Sequence, residues 1–114
     1  MSSNNFNKKA LDIETILREA ISFNVLGDIL VRQIENEAIL LHIPTGAYYN
    51  LSETSLSFWE ALQNQQPLQP VVNQIVNEYE VEPSQVVEDL QIFLEDLLEF
   101  GMIREPSNTR IYEK

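Results

Sequence analysis

The sequence ILVRQIENEAILLHIPTGAYYNL, residues 29 to 51, decides the fold of this chain. It is rich in β-branched and aromatic residues, which favour strands, and two turn-forming stretches, at 35–37 and 44–46, interrupt it. The pattern therefore predicts a three-stranded antiparallel meander. Its strands are expected at 29–34, 38–43 and 47–51.

The second predicted strand is apolar at nearly every position, so the alternation of side chains must decide which residues face the core. We predict that Ile39, Leu41 and Ile43 face the core and that Leu40 and His42 point away from it. On this assignment His42, the single histidine, is a half-exposed strand residue rather than a catalytic base.

Three helices are predicted after the sheet. Ser52, or alternatively Ser55, is a candidate N-cap for a first helix that reaches about residue 64. A second helix is expected at about 69–79. A third begins at Pro83, whose missing N–H suits a first turn, and ends before Gly101. In the first of these helices one face carries Leu56, Trp59 and Leu62, flanked by Phe58. In the second, the side chains expected to face inward are those of Val72, Ile75, Val76 and Tyr79.

The ends of the chain are less regular. Residues 1–8 are expected to form a disordered tail, and residues 9–23 an amphipathic helix that ends before Asn24 and Gly27. We divide the chain into an N-terminal tail and helix at 1–27, a domain at 28–103 and a C-terminal tail at 104–114. Met102 and Ile103, which follow the last helix, are candidates to pack back against the domain. The fold class is α+β, similar to a winged helix-turn-helix, with an extra N-terminal helix.

The last helix has a wider apolar face than one packing contact needs. It is either a central core helix contacted on two sides, or it packs one stripe on the core and lines a groove beside the sheet with the other. The first stripe comprises Val86, Leu90, Phe93, Leu97 and Phe100, and the second comprises Val87, Leu94 and Leu98.

Charge restricts the class of partner. The net charge is −11, and no Lys or Arg occurs between Arg32 and Arg104. Nucleic-acid-binding proteins neutralise phosphates with these residues, and so do proteins that bind anionic membranes, so neither partner is expected. The acidity either keeps the protein in solution or matches a basic partner. Because neither a signal peptide nor an apolar run of about 20 residues is present, we expect a cytoplasmic protein.

The sequence lacks the residues that catalysis or metal binding would need. It has no cysteine, one histidine and three scattered glycines, which argues against a thiolate or histidine metal cluster, a catalytic triad or a phosphate-binding loop. The acid pairs Glu88-Asp89 and Glu95-Asp96 do not converge, since adjacent residues on a helix point about 100° apart. We therefore predict no catalytic residue, no metal and no cofactor.

Four segments in order resemble the PqqD-like family, also called RiPP recognition elements. They are T-G-A-Y-Y-N-L at 45–51, F-W-E-A-L at 58–62, Y-E-V-E-P at 79–83 and V-E-D-L-x-x-F-L-x-x-L-x-x-x-G-M-I at 87–103. The resemblance covers about two thirds of the chain. One departure is Ser52, where many members have Asn after the Leu, and the N-terminal helix is an addition to the family's minimal unit.

The resemblance implies that this protein binds the leader segment of a ribosomally made precursor peptide and presents it to a modifying enzyme, often a radical SAM enzyme. The leader would add as a strand to the edge of the third strand and place apolar side chains against the third helix. Acidic Glu82, Asp89 and Asp96 could meet basic residues of the leader. The implied peptide-binding residues are Ala47, Tyr48, Tyr49, Asn50, Leu51, Val86, Asp89, Leu90, Phe93 and Leu97.

Other interpretations stay open. Alternation puts Tyr48 and Tyr49 on opposite faces, so one of them is expected in the core and the other exposed. A protein–protein adaptor that docks on an enzyme without a leader is an alternative function, and a DNA-binding regulator is a weaker one, because the second helix lacks bases that grip phosphate. The N-terminal helix is a candidate docking or homodimer element, or it simply covers the domain.

Overall fold

The architecture is a three-stranded antiparallel sheet followed by three helices, with short elements before and after. A computed structural model describes residues 10–35, 37–106 and 110–113. The elements are α1 Ile13–Arg18, β1 Asn24–Val25, β2 Ile29–Ile34, β3 Glu37–His42, β4 Ala47–Leu51, α2 Glu53–Gln63, α3 Gln69–Tyr79, α4 Pro83–Glu99 and β5 Ile103–Arg104. The predicted α+β class, and the meander before three helices, are confirmed.

The sheet has the order β2-β3-β4, and its inner face is not the one predicted for β3. Leu40 is fully buried, whereas Ile39 and Ile43 are exposed and Leu41 is only partly buried. Leu40 lies opposite Tyr49, which shares the inner face. The prediction was wrong because both faces of β3 are apolar, so alternation within this strand alone could not choose between them.

The helices after the sheet follow the sequence signals closely. Ser52 caps α2, its hydroxyl accepting a hydrogen bond from the Ser55 N–H at 3.3 Å. Pro83 starts α4, and Gly101 ends it with a φ of +74°, a left-handed conformation that glycine adopts without steric cost. Tyr79, predicted to face inward, is exposed at the end of α3, so that prediction was wrong. The residues of the predicted apolar faces that are buried are Leu56, Trp59, Leu62, Val72 and Ile75, and the flanking Phe58 is buried as well.

The N-terminal helix is shorter than predicted. It spans Ile13–Arg18, where the Asp12 carboxylate accepts a hydrogen bond from the Thr15 N–H at 3.2 Å and caps its start. Ala20 has a φ of +52°, which a right-handed helix does not allow, so the chain turns there. Residues 24–25 then pair with β5. Lys9, the predicted first residue, lies outside the described residues.

The start of the described chain and the C-terminal segment, which was predicted to be a tail, pack on the core. Residues 1–8, the predicted N-terminal tail, lie outside the described residues. The Asp12 N–H donates to the Ile111 carbonyl at 2.7 Å, and Leu11 pairs with Tyr112 in an antiparallel bridge. Leu11 and Ile111 are both fully buried. The N-terminal segment therefore belongs to the same hydrophobic core as the sheet and the helices.

This N-terminal segment lies against one side of α4. The Leu11 N–H donates to Glu95 Oε2 at 3.1 Å, and Gln91 Nε2 donates to the Leu11 carbonyl at 3.1 Å. On the helix, Gln91 and Glu95 flank the second predicted apolar stripe, in which Leu94 is fully buried. The chain's own end thus covers that side of α4, and the opposite side faces β4.

Candidate functional site

The site is a groove between the free edge of β4 and the exposed side of α4. β4 pairs with β3 along one side, and in the described part of the chain no strand pairs with its other side. Alternate N–H and C=O groups of such an edge strand point outward and can pair with another extended chain. α4 runs beside this edge, where Tyr49 and Asp96 join the two elements.

Tyr49 is the residue that sets the geometry of the groove. Its hydroxyl donates a hydrogen bond to Asp96 Oδ2 at 2.9 Å. Its ring contacts Phe93 at a centroid distance of 5.9 Å and Phe100 at 5.6 Å, the second contact in an edge-to-face arrangement. Both distances lie in the favourable range for aromatic pairs. The Tyr49 side chain therefore fixes the spacing between β4 and α4.

The Tyr49 hydroxyl is neutral at ordinary pH. Burial, the hydrogen bond to Asp96 and the charge of that carboxylate together raise the pKa of Tyr49 to about 12. A protonated hydroxyl donates to Asp96, and the remaining oxygen sites of this carboxylate stay available as acceptors. The groove thus presents a carboxylate held in one position.

The predicted site residues divide between the surface and the core. Tyr48 and Asn50 point to the outer face of the sheet, while Tyr49 faces α4, so the expected separation of the two tyrosines is confirmed. Asp89 is exposed on α4 and accepts a hydrogen bond from Gln85 Nε2 at 3.0 Å. Ala47 is half-buried. The predicted site residues that are buried in the core are Leu51, Val86, Leu90, Phe93 and Leu97.

Two further apolar residues stand on the groove side of α4. Ile92, one helical turn before Asp96, is 49% exposed, and Phe100, one turn after it, is 41% exposed. The sequence analysis did not single out Ile92, because it lies outside both apolar stripes. A single large apolar residue among polar neighbours on a helix surface is only a weak indication of a binding residue.

The turn before β4 is held by local hydrogen bonds. His42 Nδ1 and Thr45 Oγ1 lie 2.9 Å apart, and Thr45 Oγ1 also accepts a hydrogen bond from the Ala47 N–H at 3.2 Å. Gly46 takes a φ of +76° between them. His42 therefore orients the start of the edge strand.

Other kinds of site find less support in the described ranges. Among residues 10–35, 37–106 and 110–113, no three His, Asp or Glu side chains are grouped as a metal site would require. No helix within these ranges is long and apolar enough to cross a membrane. A surface crevice of about 460 Å³ lies between α1 and α4, on the far side of α4 from the groove, with Leu17, Val87 and Gln91 in its wall.

Comparison with known proteins bears on both the fold and the groove. The profile of the family described as coenzyme PQQ synthesis protein D (PqqD) matches residues 37–103. No curated protein gave a significant match to this sequence.

Two solved structures are similar to this chain over most of their length. One is TbiB1 in complex with the TbiA(beta) leader peptide, with 26% identity over 75% of this chain and 99% of that chain, and a TM-score of 0.64. The other is a lasso peptide synthetase B1 complexed with the leader peptide, with 27% identity over 72% of this chain and 96% of that chain, and a TM-score of 0.64.

Proposed function

This chain belongs to the PqqD family, and we propose that it binds the leader segment of a ribosomally made precursor peptide and presents it to a modifying enzyme. The family profile covers more than half of the chain, from residue 37 to residue 103. The two similar structures both hold leader peptides. Because such a precursor is made by ribosomes, we place this binding in the cytoplasm, and we propose that the chain acts by binding rather than by catalysis.

The observation that carries the proposal is the unpaired edge of β4 beside α4. An extended peptide that adds to this edge gains backbone hydrogen bonds from β4. Its alternate side chains then point into the groove, toward Tyr49, Ile92 and Phe100. The backbone bonds supply affinity for any extended chain, and the groove supplies selectivity for its side chains.

Charge favours a leader with basic residues near this groove. Asp89 and Asp96 stand on the side of α4 that faces β4, and the whole chain carries a net charge of −11. Charge pairs at the rim of an interface act mostly on the association rate and on its salt dependence. Leader affinity that does not change with salt would remove this part of the proposal.

The modifying enzyme is the second partner in the proposal. We propose that this enzyme carries out the chemistry on the precursor, while the present chain supplies the leader site. A radical SAM maturase is one enzyme class that the family resemblance suggests.

The decisive experiment uses the leader peptide of a short precursor gene next to the gene for this chain. We expect a dissociation constant of roughly micromolar or tighter, about −8 kcal/mol, by fluorescence anisotropy. Amide chemical shifts should move along Ala47–Leu51 and along the side of α4 that carries Asp89 and Asp96.

Backbone methylation of the same peptide tests strand addition directly. One set of leader peptides carries N-methyl groups on alternate residues, and the control set carries the same number shifted by one position. Only every second N–H of an added strand faces β4, so one set should lose binding and the other should keep it. Equal binding of both sets would overturn strand addition, and no binding of the unmodified leader would overturn the proposed function.

A further inference from the structure

The hydrogen-bond pattern of the sheet shows which residues of β4 offer backbone groups at its free edge. The Ile43 N–H donates to the Asp28 carbonyl at 3.0 Å. Because bonding alternates along an antiparallel ladder, every second residue of β3 before Ile43 also bonds to β2, and the residues between them bond to β4. Tyr49 is therefore bonded to β3, whereas the N–H and C=O groups of Tyr48 and Asn50 point to the free edge.

α4 runs in the opposite direction to β4. Gly101, directly after this helix, lies so close to His42 that a Cβ on it would be 4.0 Å from His42 Cε1. His42 pairs with Ala47, the first residue of β4. Tyr49, in the middle of β4, contacts Asp96, about one turn before the end of the helix. The end of α4 is therefore beside the start of β4, and the earlier turns of α4 lie toward the end of this strand.

Three residues of α4 follow one another along the groove at intervals of one helical turn. Ile92 and Phe100 are exposed, and the Asp96 carboxylate between them is held by the Tyr49 hydroxyl. Four residues of a helix advance by about 6.0 Å, and two residues of a strand advance by about 6.6 Å. Consecutive groove-facing side chains of an added strand can therefore each contact one of these three residues.

We propose that the groove selects a five-residue leader segment in which the first and fifth residues are apolar and the third is Lys or Arg. The basic residue binds Asp96, and the two apolar residues contact Ile92 and Phe100. The length equals the five residues of β4. This inference rests on the proposed function and names the kind of leader sequence that the groove accepts. The pattern is the same in both directions, so it holds whichever way the leader runs along β4.

Asp96 favours a cation at the central position. The Tyr49 hydroxyl uses one acceptor site of this carboxylate, and an ionised carboxylate has about four. α4 contains no Lys or Arg, and Asp96 forms no ion pair with any residue that the structure describes. An ammonium or guanidinium group can therefore bind the remaining sites through charge-assisted hydrogen bonds. The aliphatic stem of Lys or Arg can pack beside Ile92 and Phe100 at the same time.

A substitution scan of the leader tests the pattern. The probe is the fluorescein-labelled leader peptide encoded by the short precursor gene beside the gene for this chain, titrated into the full chain. Each leader residue is replaced in turn by Lys, Glu and Leu. We expect one position at which Glu binds about tenfold more weakly than Lys, and two positions, two residues before and after it, at which Glu binds about tenfold more weakly than Leu. Apolar positions at any other spacing would overturn the proposal.

Asp96→Asn separates the central carboxylate from the general acidity of the chain. Asparagine keeps an oxygen that can accept from the Tyr49 hydroxyl, so the substitution removes the charge and leaves the acceptor. We expect about fivefold weaker binding of the peptide with Lys at the central position and unchanged binding of the peptide with Leu there. Glu88→Gln is the matched control, since Glu88 is an exposed acid of α4 in the wall of the crevice beside α1. Equal losses for both peptides, or the same loss with Glu88→Gln, would contradict a specific contact with Asp96.

Amide hydrogen exchange separates this inference from the proposed function. Leader binding should slow exchange of the Tyr48 and Asn50 N–H groups, while the Tyr49 N–H, already bonded to β3, should change little. Protection of both edge amides without the expected pattern in the scan would overturn only the inference on the leader sequence. Leader binding that protects neither amide would overturn strand addition as well. A leader that does not bind the wild-type chain would overturn the proposed function itself.

Discussion

The Tyr49 hydroxyl donates a hydrogen bond to Asp96 Oδ2 at 2.9 Å, and this bond ties the edge strand β4 to α4 across residues that are 47 positions apart in the chain. Both partners lie at the groove in which we propose that a leader strand binds. The distance between β4 and α4 at the groove is therefore set by this contact as well as by the packing of the core beneath it.

Removal of this bond should have a measurable effect on stability. Tyr49→Phe keeps the ring that packs on Phe93 and Phe100 but leaves Asp96 without its donor. We expect a loss of about 1 kcal/mol in the free energy of unfolding, measured with urea. Tyr48→Phe is the control, since the Tyr48 hydroxyl has no hydrogen bond among the described residues. An equal effect of both substitutions would contradict the role of the bond.

Alkaline titration should identify the same hydroxyl. Tyr49 and Tyr112 both have pKa values raised to about 12 from the ordinary value of 10, Tyr112 through burial, its hydrogen bond to Glu105 and nearby acids. Because the folded-state pKa is the higher one, their contribution to stability is complete below pH 10 and is lost as the pH rises toward 12. Absorbance titration of Tyr49→Phe should show one late-ionising tyrosine fewer than the wild type.

The end of α4 depends on the backbone of Gly101. Its φ of +74° is unfavourable for a residue with a Cβ, while a Cβ there would meet only His42 Cε1, at 4.0 Å. Gly101→Ala should therefore cost about 1 kcal/mol through the backbone and not through a clash. Gly27→Ala, at a position with open space and no positive φ, should change stability by less than about 0.5 kcal/mol. Similar losses at both glycines in thermal unfolding would contradict this account.

The N-terminal segment should be required for stability. Leu11 is fully buried between the C-terminal segment and α4. We expect Leu11→Ala to reduce the free energy of unfolding by about 3 kcal/mol. Ala10, next to it and exposed, offers the control Ala10→Ser. An unfolding midpoint that Leu11→Ala leaves unchanged would show that this segment is dispensable.

Ile92 should contribute to leader binding without contributing to the fold. It is half-exposed on the groove side of α4, so Ile92→Ser should leave the unfolding midpoint nearly unchanged. Its loss should weaken leader binding about tenfold, by the loss of an apolar contact in the groove. Val81→Ser removes a similarly exposed apolar side chain away from the groove and should leave leader affinity unaltered.

The positions at which the strands and helices begin and end follow local signals that are clear in the sequence. The turn at Pro44–Gly46, the cap at Ser52 and the stop at Gly101 each occupy the position that the pattern predicted. These signals need only neighbouring residues, so they can be interpreted without the tertiary structure.

The wrong predictions concern features that depend on contacts with residues distant in the sequence. The inner face of β3 is set by what packs beneath it, and Leu40 faces inward with Tyr49 although Leu41 is equally apolar. The early end of α1 at Arg18 is followed by the positive φ of Ala20, which helical spacing does not reveal. The burial of Ile111 depends on pairing between the two ends of the chain. Likewise, helical spacing placed Leu90 and Leu97 on one stripe of α4, but it could not show whether their side chains are buried in the core or exposed in the groove. Both are buried.

The pairing of Leu11 with the C-terminal segment also sets an order of events during translation. The Tyr49–Asp96 contact can form once Asp96 has been made, whereas Leu11 pairs with Tyr112, which is made 16 residues later. At 5–20 residues per second this interval lasts roughly 1 to 3 s. The nascent chain therefore completes its groove first, while the apolar side chains of Leu11, Ile13 and Ile16 remain open to ribosome-associated chaperones until the last residues are made.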